Sequence, residues 1–276
     1  MERYNFLIDS HCHLNRCEEN AFYILEELII NASKNNVRLL HNICTERNDI
    51  PFLLKAMENY DNIYSSIGLH PENVDDEGFT VAELLKYTEN YEKIISIGEV
   101  GLDYHYGIGN IPRQKENFET HIEAARQSKL PLVIHSRDAD EDMIDMLKSE
   151  MKNGEFQFVL HCFCSGEKLA YTGLDLGGLI SLSGIVTFKN SRELQEIAKK
   201  IPLDRMLLET DAPFLAPVPL RGKTNQPANV KYVAEFLSGL LNVEYDEIAM
   251  KTTENFLNYF KRCSIEFINK KSKNYV

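Results

Sequence analysis

Two histidines one residue apart, His11 and His13, close the first apolar stretch of this chain, Phe6-Leu7-Ile8-Asp9-Ser10-His11-Cys12-His13. In an extended strand, residues two apart project to the same side, so these imidazoles converge, as a divalent metal site requires. A lone His-x-His pair is also common in ordinary strands. Its weight comes from what ends the later apolar stretches. The fourth ends Ile97-Gly98-Glu99-Val100-Gly101-Leu102-Asp103, the fifth Val133-Ile134-His135-Ser136-Arg137, and the sixth Val159-Leu160-His161-Cys162-Phe163. The eighth ends Leu207-Leu208-Glu209-Thr210-Asp211-Ala212-Pro213. His11, His13, His135 and His161 with Glu99 and Asp211 make enough nitrogen and oxygen donors for two metal sites. A carboxylate has two oxygens, so the central Glu99 is suited to bridge two ions. Any one of these residues could be a satisfied polar group of the interior. All six at strand ends form a far more specific set.

The elements that must position them are legible as eight short apolar runs: residues 5–8, 38–44, 63–68, 94–98, 131–134, 157–160, 179–182 and 205–208. Most are β-branched or Leu-rich without alternation, as parallel strands buried on both faces are. Amphipathic patterns separate them. Phe22, Leu25, Ile29 and Ala32 fall on one helical face, as do Phe118, Ile122 and Ala125, and a third helix starts near Pro51 with Asp49 as its cap. Strands alternating with helical crossovers predict a (β/α)8 TIM barrel with its site at the C-terminal rim of the strands. The competitor, a doubly wound open sheet, gathers its site at one switch point. Here polar groups follow runs one, three, four, five, six and eight, which favours a closed ring. No linker or internal repeat interrupts the pattern. We therefore expect one barrel domain over 1–268, with segments 229–241 and 246–259 completing the outer helical layer, and a polar tail, 269–276, that frays.

With 276 residues, 43% of them hydrophobic and 26% charged, the chain can bury a large core. No apolar run approaches the ~20 residues of a membrane span. Residues 1–5 carry no signal-peptide pattern, and six cysteines without framework spacing read as reduced thiols, so a cytoplasmic protein is expected, with no membrane and no obligate protein partner. A net charge of −12 argues against a broad electrostatic grip on nucleic acid. It leaves room for a phosphate ester held by metal ions and a few cations. His70, which ends the third run, faces the same rim and is assigned to substrate, because the other six donors fill both metal sites. Arg137, two residues past His135, has a planar fork suited to phosphate oxygens. Arg221 and Lys223 stand on a loop that carries four prolines from Pro213 to Pro227 and make a candidate phosphate clamp. For these three cations a surface role is an equal alternative. His41 and His121 read as core or surface residues, His105 lies in a loop, and Cys12 should face the helical layer.

Taken together, these motifs resemble the TatD family of metal-dependent deoxyribonucleases, within the amidohydrolase-like barrels. The resemblance runs from Ile8-Asp9-Ser10-His11-Cys12-His13-Leu14 to Asn225-Gln226-Pro227. It is carried most specifically by Gly98-Glu99-Val100-Gly101-Leu102-Asp103-Tyr104 and by Leu207-Leu208-Glu209-Thr210-Asp211-Ala212-Pro213-Phe214-Leu215, with Ser183-Gly184-Ile185-Val186-Thr187-Phe188-Lys189 as a further match. It implies hydrolysis of DNA phosphodiester bonds, typically from the 3′ end, with divalent metal. It also implies a site A of His11, His13, Glu99 and Asp211 and a site B of Glu99, His135 and His161. Many barrel amidohydrolases carry a carboxylated lysine at the end of the fourth strand. Glu99 takes that place here, which favours a phosphodiesterase over an amide or lactone hydrolase. The chain departs from the family at Asn15, where an Asp is common, at Ser165-Gly166, one place late, and at Gln226, where a Glu is common.

The expected chemistry is attack of a metal-activated water on a phosphate diester, with Glu99 bridging and Asp211 orienting the water or taking its proton. The expected cofactors are two divalent ions, Mg2+ or Mn2+ in function, with Zn2+ also compatible with the imidazoles. DNA would be bound near its end. The alternatives are a metal-dependent hydrolase of a small amide, lactone or phosphate ester, and a catalytically silent metal-binding protein.

Overall fold

Eight parallel strands pair strictly in chain order in the computed structural model, which describes residues 4–17, 21–74, 78–106 and 110–266. They are β1 (Leu7–Cys12), β2 (Val37–Asn42), β3 (Ile63–Ile67), β4 (Ile94–Asp103), β5 (Leu132–Arg137), β6 (Phe158–Leu160), β7 (Leu179–Leu182) and β8 (Met206–Leu208). A bridge between Cys12 and Ala212 brings the first strand against the segment following the last. The His13 N–H donates to the Ala212 carbonyl at 2.7 Å and the Asp211 N–H to the His11 carbonyl at 2.9 Å. Strand order and this junction make a TIM barrel and exclude the doubly wound sheet. Helices α1 (Ala21–Lys34), α2 (Ile50–Asn59), α3 (Val81–Asn90), α4 (Ile111–Ser128), α5 (Asp140–Asn153), α6 (Glu167–Asp175) and α7 (Arg192–Ala198) alternate with the strands. Then come α8 (Val230–Leu241) and α9 (Tyr245–Tyr259). No described helix is long and apolar enough to cross a membrane. The Phe22 side chain and the tail 269–276 lie outside the described residues, as does the expected boundary at 268.

Neighbouring strand residues divide between two apolar clusters, which is why the runs show no alternation. Leu7, Leu40, Ile94, Phe158, Ile180 and Leu208 join the large cluster under the helices, with Phe118, Ile122 and Leu25. Ile8, Leu39, Ile95, Val159, Leu179 and Leu207 join a second cluster, which takes its last members, Phe256 and Phe260, from α9 and the residue after it. Cys12 is in the first, facing the helices as expected.

Three expectations need correction. The segment now seen as α9 does not simply extend the outer layer. Phe256 and Phe260 fill the second cluster, Thr253 donates its hydroxyl to the Phe6 carbonyl (2.8 Å), and Asn255 donates to the Leu203 and Met206 carbonyls (both 2.8 Å), so α9 closes the N-terminal end of the barrel. The fourth strand runs past Gly98 to Asp103. It can do so because Gly101, at φ +149°, lets β5 come so near that a Cβ would lie 2.0 Å from the His135 carbonyl oxygen. Asp49 stands at the N-cap position of α2 without capping it. Its carboxylate turns back to accept from the N–H groups of Thr45 (2.8 Å) and Glu46 (3.1 Å) and from the Asn15 amide (2.6 Å). Asn15 suits this place better than the family's Asp, because a second carboxylate here would repel the first.

His41 and His121 are core histidines with both nitrogens engaged. His41 donates from Nδ1 to the Ser10 carbonyl and accepts from the Ser96 hydroxyl at Nε2. His121 donates from Nδ1 to the Asn117 carbonyl (2.7 Å) and accepts the Leu69 N–H at Nε2 (3.2 Å). Burial holds their pKa values down, to about 3 and about 4 from an ordinary 6.5. Folded His121 therefore stays neutral where the unfolded chain takes up a proton. Its contribution is complete above pH 6.5 and shrinks as pH falls towards 4. Between about pH 7.5 and pH 5, wild type should lose about 2 kcal/mol more stability than His121→Gln. Denaturant unfolding at both pH values checks this, and equal losses would contradict it.

Candidate metal centre

Six expected metal-site residues meet at the C-terminal rim, and Glu99 is their centre. It sits at 3% exposure on β4, with its backbone N–H tied to the Cys44 carbonyl (3.0 Å) beyond β2. One oxygen, Oε2, lies 3.3 Å from His11 Nε2 and 3.8 Å from His13 Nε2. Asp211 Oδ1 completes that group, 3.2 Å from His13 Nε2 and 3.7 Å from His11 Nε2. The two imidazole nitrogens are 3.2 Å apart, so the His-x-His pair converges as strand geometry demands. The other oxygen of Glu99, Oε1, lies 2.7 Å from His161 Nε2 and 3.1 Å from His135 Nδ1, and these two nitrogens are 3.4 Å apart. The His11 and His161 rings stack at 3.9 Å between the two groups.

These atoms suit cations. Nitrogen and oxygen atoms ~2.0–2.2 Å from a shared tetrahedral ion stand about 3.3–3.6 Å apart, and most of the separations here, from 3.1 to 3.8 Å, lie near that range, with His161 Nε2 closer at 2.7 Å. Two facing imidazole nitrogens share at most one proton, whereas a cation satisfies both lone pairs. The electrostatics agree. Burial pushes the Glu99 pKa up, but the charges of His161, His70 and His11 more than reverse this and hold it well below the usual carboxylate range. Burial alone would lower His161, His13 and His135. Each is raised instead, His161 by the charges of Glu99 and Glu209, His13 by its contact with Asp211, and His135 by its bonds to Asp103 and Glu99.

Two carboxylates behind the histidines, Asp103 and Glu209, have a role that the sequence motifs alone do not show. Asp103 accepts the Nε2 proton of His135 at 3.0 Å, which leaves Nδ1 directed at Glu99. It also accepts the N–H groups of His105 (2.9 Å) and Tyr106 (2.8 Å), and these bonds with His135 overcome burial and hold its pKa down, at about 2. Glu209 lies fully buried with Oε1 3.4 Å from His161 Nδ1. Such partners fix the tautomer and aim of a ligating imidazole. The pairing of β4 with β5, which sets Asp103 opposite Arg137, is what reveals the first of them.

His70 joins the second group. Its Nδ1 accepts the Glu72 N–H (3.2 Å), so its own proton is on Nε2, 3.4 Å from Glu99 Oε1. That nitrogen is a donor rather than a lone pair. The three cations are farther out. Arg137 lines a rim pocket of about 650 Å3 with Tyr104 and Cys164, its guanidinium 4.7 Å above the Tyr106 ring. Arg221 lies 3.7 Å above the Phe188 ring, and Lys223 is exposed on the same loop. Two departures from the family pattern serve packing. Gly166 donates its N–H to Asp140 (2.8 Å), and Gln226 accepts from the Asn31 amide (3.1 Å).

Comparison with known proteins gives consistent matches. Residues 8–261 match the family described as TatD related DNase. Over 256 residues the chain is 40% identical to the uncharacterized metal-dependent hydrolase YcfH of Escherichia coli K12, covering 92% of this chain and 96% of that protein. It is 39% identical over 255 residues to the uncharacterized metal-dependent hydrolase YabD of Bacillus subtilis 168, covering 92% and 99%. The crystal structure of YJJV, a TatD homolog from Escherichia coli K12, superimposes with a TM-score of 0.85 at 26% identity, covering 92% of this chain and 98% of that one.

Proposed function

Since this chain belongs to the TatD related DNase family, we propose that it is a deoxyribonuclease that removes nucleotides from the 3′ end of DNA with two divalent ions. The family and the relatives make it a metal-dependent hydrolase. What supports two ions is the division of Glu99, with Oε2 turned to His11, His13 and Asp211 and Oε1 to His135 and His161. His11, His13, Glu99 and Asp211 would hold one ion, and Glu99, His135 and His161 the other. Bound there, Mg2+ or Mn2+ would make water a nucleophile near neutral pH and offset charge on the phosphate.

The chain's own residues do the rest. Burial pushes the Asp211 pKa up, but the bond to His13 and the nearby imidazole charges hold it low, so its carboxylate is ionised and can orient the attacking water. His70 Nε2–H points at the same ground as Glu99 Oε1 and can donate to a non-bridging phosphate oxygen. Arg137, Arg221 and Lys223 hold phosphates from the rim, Arg137 by its planar fork.

The two loop cations offer a test of nucleic acid against a small substrate. Changing Arg221 and Lys223 together to Ala should raise KM for DNA about tenfold with little change in kcat, because substrate and transition state use the contact alike. The salt dependence of KM should become shallower by about 1.4–1.8 in log–log slope, for two lost phosphate contacts. Metal binding should not change. An unaltered KM and slope would favour the hydrolase of a small ester, amide or lactone.

A further inference from the structure

The geometry points to Phe214 as a stacking platform for the nucleobase beside the reacting phosphate, which makes an unpaired terminal base part of what the site recognises. This rests on the nuclease reading above. Five large hydrophobic side chains are exposed among the described residues, and Phe214, at 52%, is the one phenylalanine. Tyr91, Tyr106 and Tyr171 each carry a hydroxyl suited to water. A phenylalanine ring has no such group, so its exposed face offers only apolar and stacking contact.

The loop after β8 prevents that burial. Phe214 donates its N–H to the Asp211 carbonyl (2.9 Å), and its carbonyl accepts from Asn225 Nδ2 (2.7 Å), which also bonds the Thr210 carbonyl (2.9 Å). Asn225 is 1% exposed and is itself held by the Asn229 amide (2.9 Å). From the other side, Gly184 sits so close that a Cβ would lie 2.0 Å from the Leu215 carbonyl oxygen, and Thr187 accepts the Val218 N–H at 2.9 Å. A segment tied at so many points holds its apolar ring in the open.

The ring is also in the right place. It meets the His13 ring edge-to-face, with centroids 6.1 Å apart, three residues beyond Asp211. Anything resting on it lies at the mouth of the metal cluster, where a docked protein would block the substrate. The β4–β5 junction is diametrically opposite the β8–β1 junction in an eight-stranded ring, and there the exposed Tyr106 ring already carries the Arg137 guanidinium. Among the described residues, no cation covers the Phe214 ring in this way. Aromatic faces take any base by stacking, but only a base released from its own stack and pair can lie on one. The site should therefore prefer single-stranded or frayed ends to blunt duplex.

The chain contains no tryptophan, so Phe214→Trp makes a protein with one indole, reporting at this position. In Mg2+, a short single-stranded oligonucleotide protected from hydrolysis by terminal phosphorothioates should quench its fluorescence saturably. The same oligonucleotide with an abasic 3′-terminal residue should quench it weakly. In parallel, Phe214→Ala should raise KM for single-stranded DNA about tenfold, should leave KM for the abasic-ended strand unchanged, and should regain the lost affinity as Phe214→Tyr. Equal quenching by both strands, or an unchanged KM in Phe214→Ala while wild type digests DNA, would overturn the stacking role alone. Failure of wild type to digest any DNA would remove the nuclease reading and this inference together.

Discussion

Replacing Glu99 with glutamine is expected to abolish hydrolysis, lowering kcat by about a thousandfold or more. The two side chains have the same shape, so packing at this 3% exposed position is preserved. The electronics are not. An amide has one oxygen and one NH2 group, so it can serve His11, His13 and Asp211 or His135 and His161, but not both. It also brings no charge to a place where five imidazoles stand within 4 Å of the carboxylate. Metal content per chain should fall with activity, and excess metal should restore little. Near-normal turnover in Glu99→Gln would take Glu99 out of the centre of the mechanism.

His135→Ala and His161→Ala should each remove one class of metal binding and leave the His11 and His13 class in place. Titration calorimetry should show one set of sites weakened by at least about 10–100-fold. The two variants should part in stability. His135 is half-buried, and when it is lost Asp103 keeps the backbone N–H groups of His105 and Tyr106. His161 is buried, stacked on His11, and the partner of the fully buried Glu209. Its removal strands that carboxylate, a loss of about 3–5 kcal/mol. Thermal unfolding of the metal-free variants should therefore show a marked drop in Tm only for His161→Ala. Two unchanged metal classes would instead make these histidines packing or substrate groups.

The barrel and the gathering of imidazoles and carboxylates at its rim were legible because their signals are local. A strand end followed by His, Glu or Asp is written in consecutive residues, and strand geometry alone makes His11 and His13 converge. What escaped depends on register and on distant packing. Asp103 and Glu209 could be quoted from their motifs, but only the pairing of β4 with β5 and the approach of His161 give them partners. Glycine misled at the end of β4, where Gly98 and Gly101 permit close strand packing rather than a stop. The amphipathic face of α9 was readable as helix, but not its destination, since an outer layer and a barrel end both bury such a face. Asp49 had a cap's position without a cap's bonds, because Thr45, Glu46 and Asn15 compete for its carboxylate. Phe214 stood within a motif, but nothing in the sequence marks it as exposed, since exposure is settled by the loop that holds it.

The most direct measurement is digestion of end-labelled single- and double-stranded DNA by the purified chain in Mg2+ or Mn2+, with and without EDTA. Progressive shortening from the 3′ end, stopped by EDTA and absent in Glu99→Gln, is the predicted result. Intact DNA in every lane, with metal-dependent turnover of a small ester, amide or lactone by the same preparation, would contradict the account.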